Sequence, residues 1–326
     1  MRVGVLDDWQ NVARQSADWS ALEAVAEVTV FPGAFAGEDD AATELADFDI
    51  LLLMRERTPF PASLIARLPK LRMIALTGAR SPSLDTAACT KAGIVISTTG
   101  GTVSSVGTAE LTLGLMIAAA RRIGAGDAAI RAGRFQEGVE VGPALVGKTL
   151  GIIGLGKIGS RMSRYAAALE MKVIAWSRSL DEDKAREGGA VLAASKEALL
   201  READVVTLHV PLSPASRGLI GAAEIGQMKQ GALLVNTSRA GLIDTPALIE
   251  ALHAGRITAA LDVYDQEPLG PDNPIRTAPN TVLVPHLGYG TTDTFRQFYG
   301  ESIANILAFI NGSPVRVMNP EAVNRA

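Results

Sequence analysis

Short apolar runs recur along this chain, separated by more polar segments of helix-compatible composition. Residues 3–6, 28–31, 50–54, 73–76 and 94–96 have the length and aliphatic content of strands buried on both faces. Their alternation with helical stretches predicts an α/β unit with a parallel sheet. Residues 104–122 then read as one long helix, apolar nearly all round in its middle and therefore buried between layers. Residues 124–147 read as irregular, with Gly133, Gly138, Gly142 and Pro143 as breakers. From about Leu145 a second alternation begins, with strands over 149–153, 172–176, 205–208, 233–236, 259–263 and 282–284 and helical stretches such as 246–253. Residues 294–311 form a last helix whose apolar positions include Phe295, Phe298, Ile303, Ile306, Leu307 and Ile310, and residues 314–318 are strand-like.

The expected fold class is therefore α/β, with two doubly wound parallel-sheet domains, Rossmann-like and flavodoxin-like, and an interdomain cleft. A return of the last helix to the first domain makes that domain discontinuous. Residues 1–101 plus 292–326 form the substrate domain, and residues 102–291 the dinucleotide-binding domain. Hinges fall near Gly100-Gly101 and residues 288–290, and closure on substrate would exclude water.

The second alternation carries the most informative turn. After the strand come Gly154, Gly156 and Gly159, spaced G-x-G-x-x-G, and then Ile158, Met162, Tyr165, Ala166 and Leu169 at helical spacing. The three glycines allow a tight turn, backbone approach to a pyrophosphate and close helix–strand packing. The helix N-terminus, opening at Lys157 and Ile158, offers N–H groups and a positive dipole end to phosphates. A dinucleotide site follows. Three loops at the carboxyl ends of later strands add polar residues: Arg239 after Asn236-Thr237-Ser238, Asp262 and Glu267 around Val263-Tyr264, and His286 after Pro285. Histidine transfers protons near neutral pH, a carboxylate beside it favours the charged form, and arginine holds a carboxylate through a bidentate fork.

Composition narrows the class further. The 326 residues suffice for two cores, and 48% hydrophobic with 20% charged residues is a soluble globular profile. A formal net charge of −4 gives no support to nucleic-acid binding. Cys89 is the single cysteine, which excludes an intrachain disulfide and a cysteine-rich metal site. The N-terminus lacks a signal-peptide core, and the apolar stretch 111–120 is too short to span a bilayer. A cytoplasmic protein without a membrane partner or a metal is expected.

In its motifs and their order the chain resembles the D-isomer-specific 2-hydroxyacid dehydrogenases, the family of glyoxylate/hydroxypyruvate reductases and phosphoglycerate dehydrogenase. The resemblance covers nearly the whole length. It rests on Gly154-Leu155-Gly156-Lys157-Ile158-Gly159, His209-Val210-Pro211-Leu212, Asn236-Thr237-Ser238-Arg239, Leu261-Asp262-Val263-Tyr264, Glu267-Pro268 and Pro285-His286. It implies an NAD(P)-dependent oxidoreductase acting on the CH–OH group of small 2-hydroxy acids. Arg239 would bind the 2-oxo acid, and His286 would protonate its carbonyl. Glu267 would orient His286 and favour its charged form. The Thr77-Gly78-Ala79-Arg80 loop matches the family's carboxylate cradle, and Arg55 would add a positive contact. Asp262 matches the position that binds the nicotinamide carboxamide. Thr108 lies where the crossover helix meets the nicotinamide, and Thr237 and Gly288 fall in the cofactor-facing loops. His209, with Val210 and Pro211, serves either structure or cofactor contact, whereas His253 reads as a solvated or capping residue. The family also implies a homodimer through the cofactor domains, for which the 111–120 helix and a 131–135 arm are suited.

One departure from the family pattern is Ala240, where glycine usually follows the arginine; its methyl group would narrow the loop or shift its dihedrals. The cofactor choice rests on the end of the second strand of this domain. Ser177 stands where an acid would select NAD, and Arg178 follows it, which fits a 2′-phosphate and hence NADP. NAD remains the alternative because Asp181 and Glu182 lie close by. Two rival functions share the scaffold: a cofactor-binding regulator or corepressor, and an enzyme of another class such as formate or phosphite oxidation. Formate dehydrogenases of this superfamily pair the histidine with glutamine, where Glu267 stands here. A D-3-phosphoglycerate dehydrogenase would want more cations than Arg55, Arg57 and Arg80 supply. With residues ending soon after Met318, the regulatory domain of many such enzymes is expected to be missing. Glyoxylate or hydroxypyruvate is the expected kind of substrate.

Overall fold

The computed structural model describes residues 1–325, and the chain divides into two compact units, Met1–Val103 with Thr291–Ala326, and Ser104–Gly290. The first unit carries β1 (Arg2–Val5), β2 (Glu27–Val30), β3 (Ile50–Leu53), β4 (Met73–Leu76) and β5 (Val95–Thr98). Among the described residues these form one parallel sheet in the order β2-β1-β3-β4-β5. Ile50, Leu51, Leu52 and Leu53 are all buried, as the continuous aliphatic run requires of a central strand covered on both faces. Each such side chain contributes about 1.5–3 kcal/mol on burial.

The second unit holds β6 (Thr149–Ile153), β7 (Lys172–Trp176), β8 (Val191–Leu192), β9 (Val205–Leu208), β10 (Ala232–Asn236), β11 (Ile257–Leu261) and β12 (Thr281–Leu283). They pair in parallel in the order β12-β11-β10-β9-β6-β7-β8. Both sheets thus reverse direction once, between β1 and β3 in the first unit and between β6 and β9 in the second. Crevices at the carboxyl ends of strands flanking such a reversal are where ligands bind.

Local sequence sets where the helices begin. Asp85, Asp181, Ser195, Asp244 and Thr291 each cap a helix by accepting a backbone N–H three residues on. The helix Thr292–Ile310 packs in the first unit, burying Phe295, Phe298, Ile303, Ile306 and Phe309. Beyond it Asn319 accepts from the Ile96 N–H and donates to the Ile94 carbonyl, so this late segment closes the β5 edge.

Four expectations are corrected. Residues 124–147 are not irregular throughout: Ile123–Arg131 is a helix, its alanines outweighing Gly124 and Gly126. The long helix spans Thr102–Ala120 and is buried on one side only. Ala109, Thr112, Leu115, Met116 and Ala119 face the core, while Leu111, Leu113 and Ile117 are half-buried. It is also longer than the 111–120 stretch, and by length and composition alone the window Val103–Ala120, of mean hydropathy 1.5, is long enough to cross a membrane. Its buried face packs with Leu150, Ile152 and Met162, which accounts for that hydropathy. Finally, the 314–318 segment makes a single antiparallel bridge, Val317 to Ser97, rather than a strand, and the edge strand β8 joins the second sheet unannounced by the pattern.

Candidate active site

The glycine turn after β6 is built as the G-x-G-x-x-G spacing demands. Gly154 has φ +101°, and a Cβ there would lie 2.7 Å from the His209 carbonyl oxygen, so the turn presses against the end of β9. A Cβ on Gly159 would stand 2.2 Å from the Gly154 carbonyl oxygen, which is the close packing of helix on turn. Gly156 differs: it is exposed, and a Cβ would meet nothing within 4 Å. That open face lies at the N-terminus of the helix Lys157–Ala168, with Lys157 exposed and Ile158 half-buried beside it. Open space, exposed backbone and a helix dipole at one switch point fit a dinucleotide pyrophosphate.

Around this turn, Ser177 is half-buried and Arg178 exposed at the end of β7. Asp181 is engaged elsewhere: its carboxylate caps the helix Glu182–Glu187 and pairs with Lys184, which holds it below the usual carboxylate range. His209 Nε2 is buried with no hydrogen-bond partner among the described residues. Burial pushes its pKa down to about 4, so the imidazole is neutral. The Val210 carbonyl accepts from Ser238 Oγ, which joins the β9 loop to the β10 loop, and that of Pro211 accepts from Ser216 Oγ within the β9 loop.

The β10 loop sets Arg239. Asn236 donates from Nδ2 to the Arg239 carbonyl at 2.8 Å and accepts from the Ser238 N–H, so one buried amide clamps both ends of the turn. Arg239 donates from Nη1 to the Ser238 carbonyl. Ala240 opens the 3-10 turn Ala240–Leu242 and is not among the residues with positive φ, so the position does not need glycine's conformational freedom. Thr237 Oγ1 lies 2.7 Å from Thr112 Oγ1, and Thr112 donates to the Thr108 carbonyl on the long helix.

His286 follows β12 with φ +55°. Its Nδ1 lies 2.6 Å from Glu267 Oε2, and Glu267 Oε1 accepts from the Tyr264 N–H, so the carboxylate is fixed at both oxygens. Both side chains are largely shielded, at 13% and 22% exposure, where a charge-assisted pair is little screened by solvent. Tyr289 sets its ring edge-on to the imidazole, with centroids 5.8 Å apart. Asp262 is fully buried and accepts the N–H groups of Leu287 and Gly288 at 2.6 and 2.9 Å. Burial outweighs these bonds and pushes its pKa up to about 6. A Cβ on Gly288 would lie 2.9 Å from Asp262 Oδ2 and 3.4 Å from the Thr108 side chain, so only glycine joins these two groups.

The first unit places its own candidates at the carboxyl ends of β3 and β4. Arg55, with φ +53°, donates its N–H to Thr77 Oγ1, and its Nη1 lies 2.8 Å from where a Gly78 Cβ would be. The Gly78 N–H is taken by Thr99 Oγ1 at 2.7 Å. The N–H groups of Ala79 and Arg80 have no intramolecular acceptor among the described residues, and both residues are exposed. The unbonded N–H groups of this loop are therefore those of Ala79 and Arg80, and Arg55 lies above Gly78. Sequence reasoning missed the groups that support Arg239, Glu267 and His286. The Asn236 clamp, the Tyr264 N–H on Glu267, the edge-on Tyr289 and the Thr112–Thr237 link all lie within or beside quoted motifs. No local pattern announces their partners.

Against known proteins, residues 113–288 match the family described as D-isomer specific 2-hydroxyacid dehydrogenase, NAD binding domain. Glyoxylate reductase of Aeropyrum pernix is 39% identical over 269 residues, covering 80% of each chain. D-3-phosphoglycerate dehydrogenase of Methanocaldococcus jannaschii is 38% identical over 83% of this chain, which spans only 51% of that protein. Among solved structures, a phosphoglycerate oxidoreductase from Vibrio cholerae superposes with a TM-score of 0.91 at 35% identity, covering 96% of this chain and all of the other. The protein is an NAD(P)-dependent oxidoreductase acting on the CH–OH group of donors, and it belongs to the D-isomer-specific 2-hydroxyacid dehydrogenase family.

Proposed function

We propose that this enzyme is a 2-oxo acid reductase using NADP, with glyoxylate or hydroxypyruvate as the kind of acid it takes. The observation that carries the reading is the Glu267–His286 pair. With Nδ1 held by the carboxylate at 2.6 Å, Nε2 is the nitrogen that exchanges a proton with substrate. The bound nicotinamide supplies the hydride that arrives at C2 of the acid. Protonated His286 gives its Nε2 proton to the carbonyl oxygen as the alcohol forms and takes it back in oxidation. Glu267 stabilises the imidazolium and keeps the ring oriented. Arg239, set by the Asn236 clamp, binds the acid's carboxylate and carbonyl oxygen. In the first unit, which is read as the substrate domain, the Ala79 and Arg80 N–H groups, with Gly78 and Arg55, are read as substrate-binding.

On the cofactor side, Gly154, Gly156 and Gly159 with Lys157 and Ile158 take the pyrophosphate. His209, Val210, Pro211 and Thr237 line the dinucleotide, and Thr108, Asp262 and Gly288 receive the nicotinamide. NADP rather than NAD is supported by Ser177 and Arg178 at the end of β7 and by Asp181 being committed to its helix and to Lys184. A homodimer through the second unit is supported by exposed apolar residues beside the half-buried face of the long helix: Ile123, Ile130, Phe135 at 71% exposure, and Val141. The enzyme is read as cytoplasmic and as having no nucleic-acid or membrane partner.

The test is loss of reduced-nicotinamide absorbance with NADPH and separately NADH, against glyoxylate, hydroxypyruvate, pyruvate and longer 2-oxo acids. His286→Ala should lower kcat by about 10²–10⁴-fold, the usual worth of a general acid. Tight cofactor binding with no turnover of any of these acids would refute the reading and favour the regulator.

A further inference from the structure

We propose that Asp7 is a positioning residue for substrate recognition, holding the Arg55–Thr58 turn in place through the Thr58 hydroxyl. This rests on the reading of the first unit as the substrate domain. Asp7 directly follows Leu6 at the carboxyl end of β1, and the turn leaves the carboxyl end of β3, so the two flank the reversal point of the five-stranded sheet. Thr58 Oγ1 donates to Asp7 Oδ2 at 2.8 Å. The other end of the turn is pinned on the β4 side, where the Arg55 N–H donates to Thr77 Oγ1 at 2.9 Å. Inside it the Arg57 N–H closes back on the Met54 carbonyl. Bonds to the end of β1 and to the end of β4 thus help to fix the loop that sets the Arg55 guanidinium over Gly78.

Its neighbour in the acidic pair has a different use. Asp8 caps the following helical turn, accepting the N–H groups of Val12 and Ala13. Asp7 is 5% exposed and held at φ +60°, and Arg55 is held at φ +53°, so both residues flanking the reversal point sit in the sparsely populated left-handed region. Such backbone persists where the surroundings over-determine it, and it clusters at ligand sites. Burial raises the Asp7 pKa to about 6 against the Thr58 bond and the Arg57 charge, so the group is an ionised acceptor above that pH.

The experiment uses the full chain with glyoxylate and hydroxypyruvate at pH 8, comparing Asp7→Ala, Asp7→Asn, Thr58→Val and the double variant Asp7→Ala/Thr58→Val. Asp7→Ala and Thr58→Val should each raise KM for the acid by about tenfold, and the double variant by no more than Asp7→Ala alone, because both remove the hydroxyl link. Asp7→Asn keeps an oxygen acceptor for Thr58 and should restore KM to near the wild-type value. Cofactor Kd, read by protein fluorescence, should stay unchanged throughout. A wild type that turns over these acids while Thr58→Val leaves KM unaltered overturns this inference alone. Independent, multiplying effects of the two substitutions overturn it too. Should Asp7→Ala fail to fold, Thr58→Val and Asp7→Asn decide the matter. A wild type inactive on both acids overturns the reading of function and this inference with it.

Discussion

Replacing Asp262 with asparagine should make the folded protein more stable at pH 8 and the enzyme worse. Asp262 is fully buried, and its pKa is raised from 3.8 to about 6, chiefly by desolvation. Asparagine matches the protonated acid in shape and charge, so the wild type and Asp262→Asn should be nearly equal in stability where the acid holds its proton. For a carboxyl with a raised folded pKa, the folded state binds more protons than the unfolded one between the two values. Its contribution to stability is therefore fully present below 3.8 and is lost as pH rises through about 6. A shift of about two units corresponds to roughly 3 kcal/mol, the size of the advantage that asparagine should gain by pH 8. The bonds lost from Leu287 and Gly288 are already contained in that figure, because they lower the same pKa. Function should move the other way. Asparagine has one acceptor oxygen where aspartate has two, so one of the N–H groups just after His286 is left without its bond. Urea unfolding of both proteins at pH 5 and pH 8 gives the stability difference, and kcat at pH 8 gives the functional one. An Asp262→Asn protein that is less stable than wild type at pH 8, by the same margin as at pH 5, would refute the account of a carboxylate buried at a cost.

Two glycines of the β6 turn, Gly156 and Gly159, should separate cleanly by substitution. Gly156→Ala meets open space and should unfold at the wild-type midpoint while its dinucleotide Kd rises. Gly159→Ala would set a Cβ 2.2 Å from a backbone oxygen and should lose several degrees in Tm, with or without cofactor. Ser177→Asp combined with Arg178→Ala should turn the preference toward NADH, read as the ratio of kcat/KM for the two cofactors; an unchanged ratio would remove these residues from the 2′-phosphate assignment. Phe135→Asp should shift sedimentation of the purified enzyme toward the monomer, and an unshifted dimer would place the interface elsewhere.

Most of the fold was legible because its central strands carry runs of consecutive apolar residues, as in Ile50–Leu53 and Met73–Leu76, a pattern that survives any tertiary context. β8 escaped because two residues at a sheet edge, one of them the exposed Val191, carry no alternation to read. The helix Ile123–Arg131 escaped because Gly124 and Gly126 weaken its helical signal, at a cost its alanines offset. At the site, Arg239, Glu267 and His286 stand out by motif and by their place after strands. Their supports do not, because each is a contact between distant segments: Asp262 with 287–288, Thr112 with Thr237, Asp7 with Thr58. A single sequence records residue types, whereas those links are made by topology.

The late segment that closes the β5 edge bears on the order in which the protein takes shape during synthesis. Ser104–Gly290 is continuous and is synthesised whole before Asn319 is made, whereas the first unit draws on residues from both sides of it. At about 5–20 residues per second, the intervening stretch takes on the order of ten to forty seconds to translate. Throughout that interval β5 lacks the Asn319 and Val317 contacts that finish its outer edge, and an unfinished parallel edge invites pairing with other chains. Nascent-chain aggregation should therefore be governed by how long this one strand waits, so slowing translation between residues 104 and 290 should lower the soluble yield even though the affected codons lie outside the unit that misfolds.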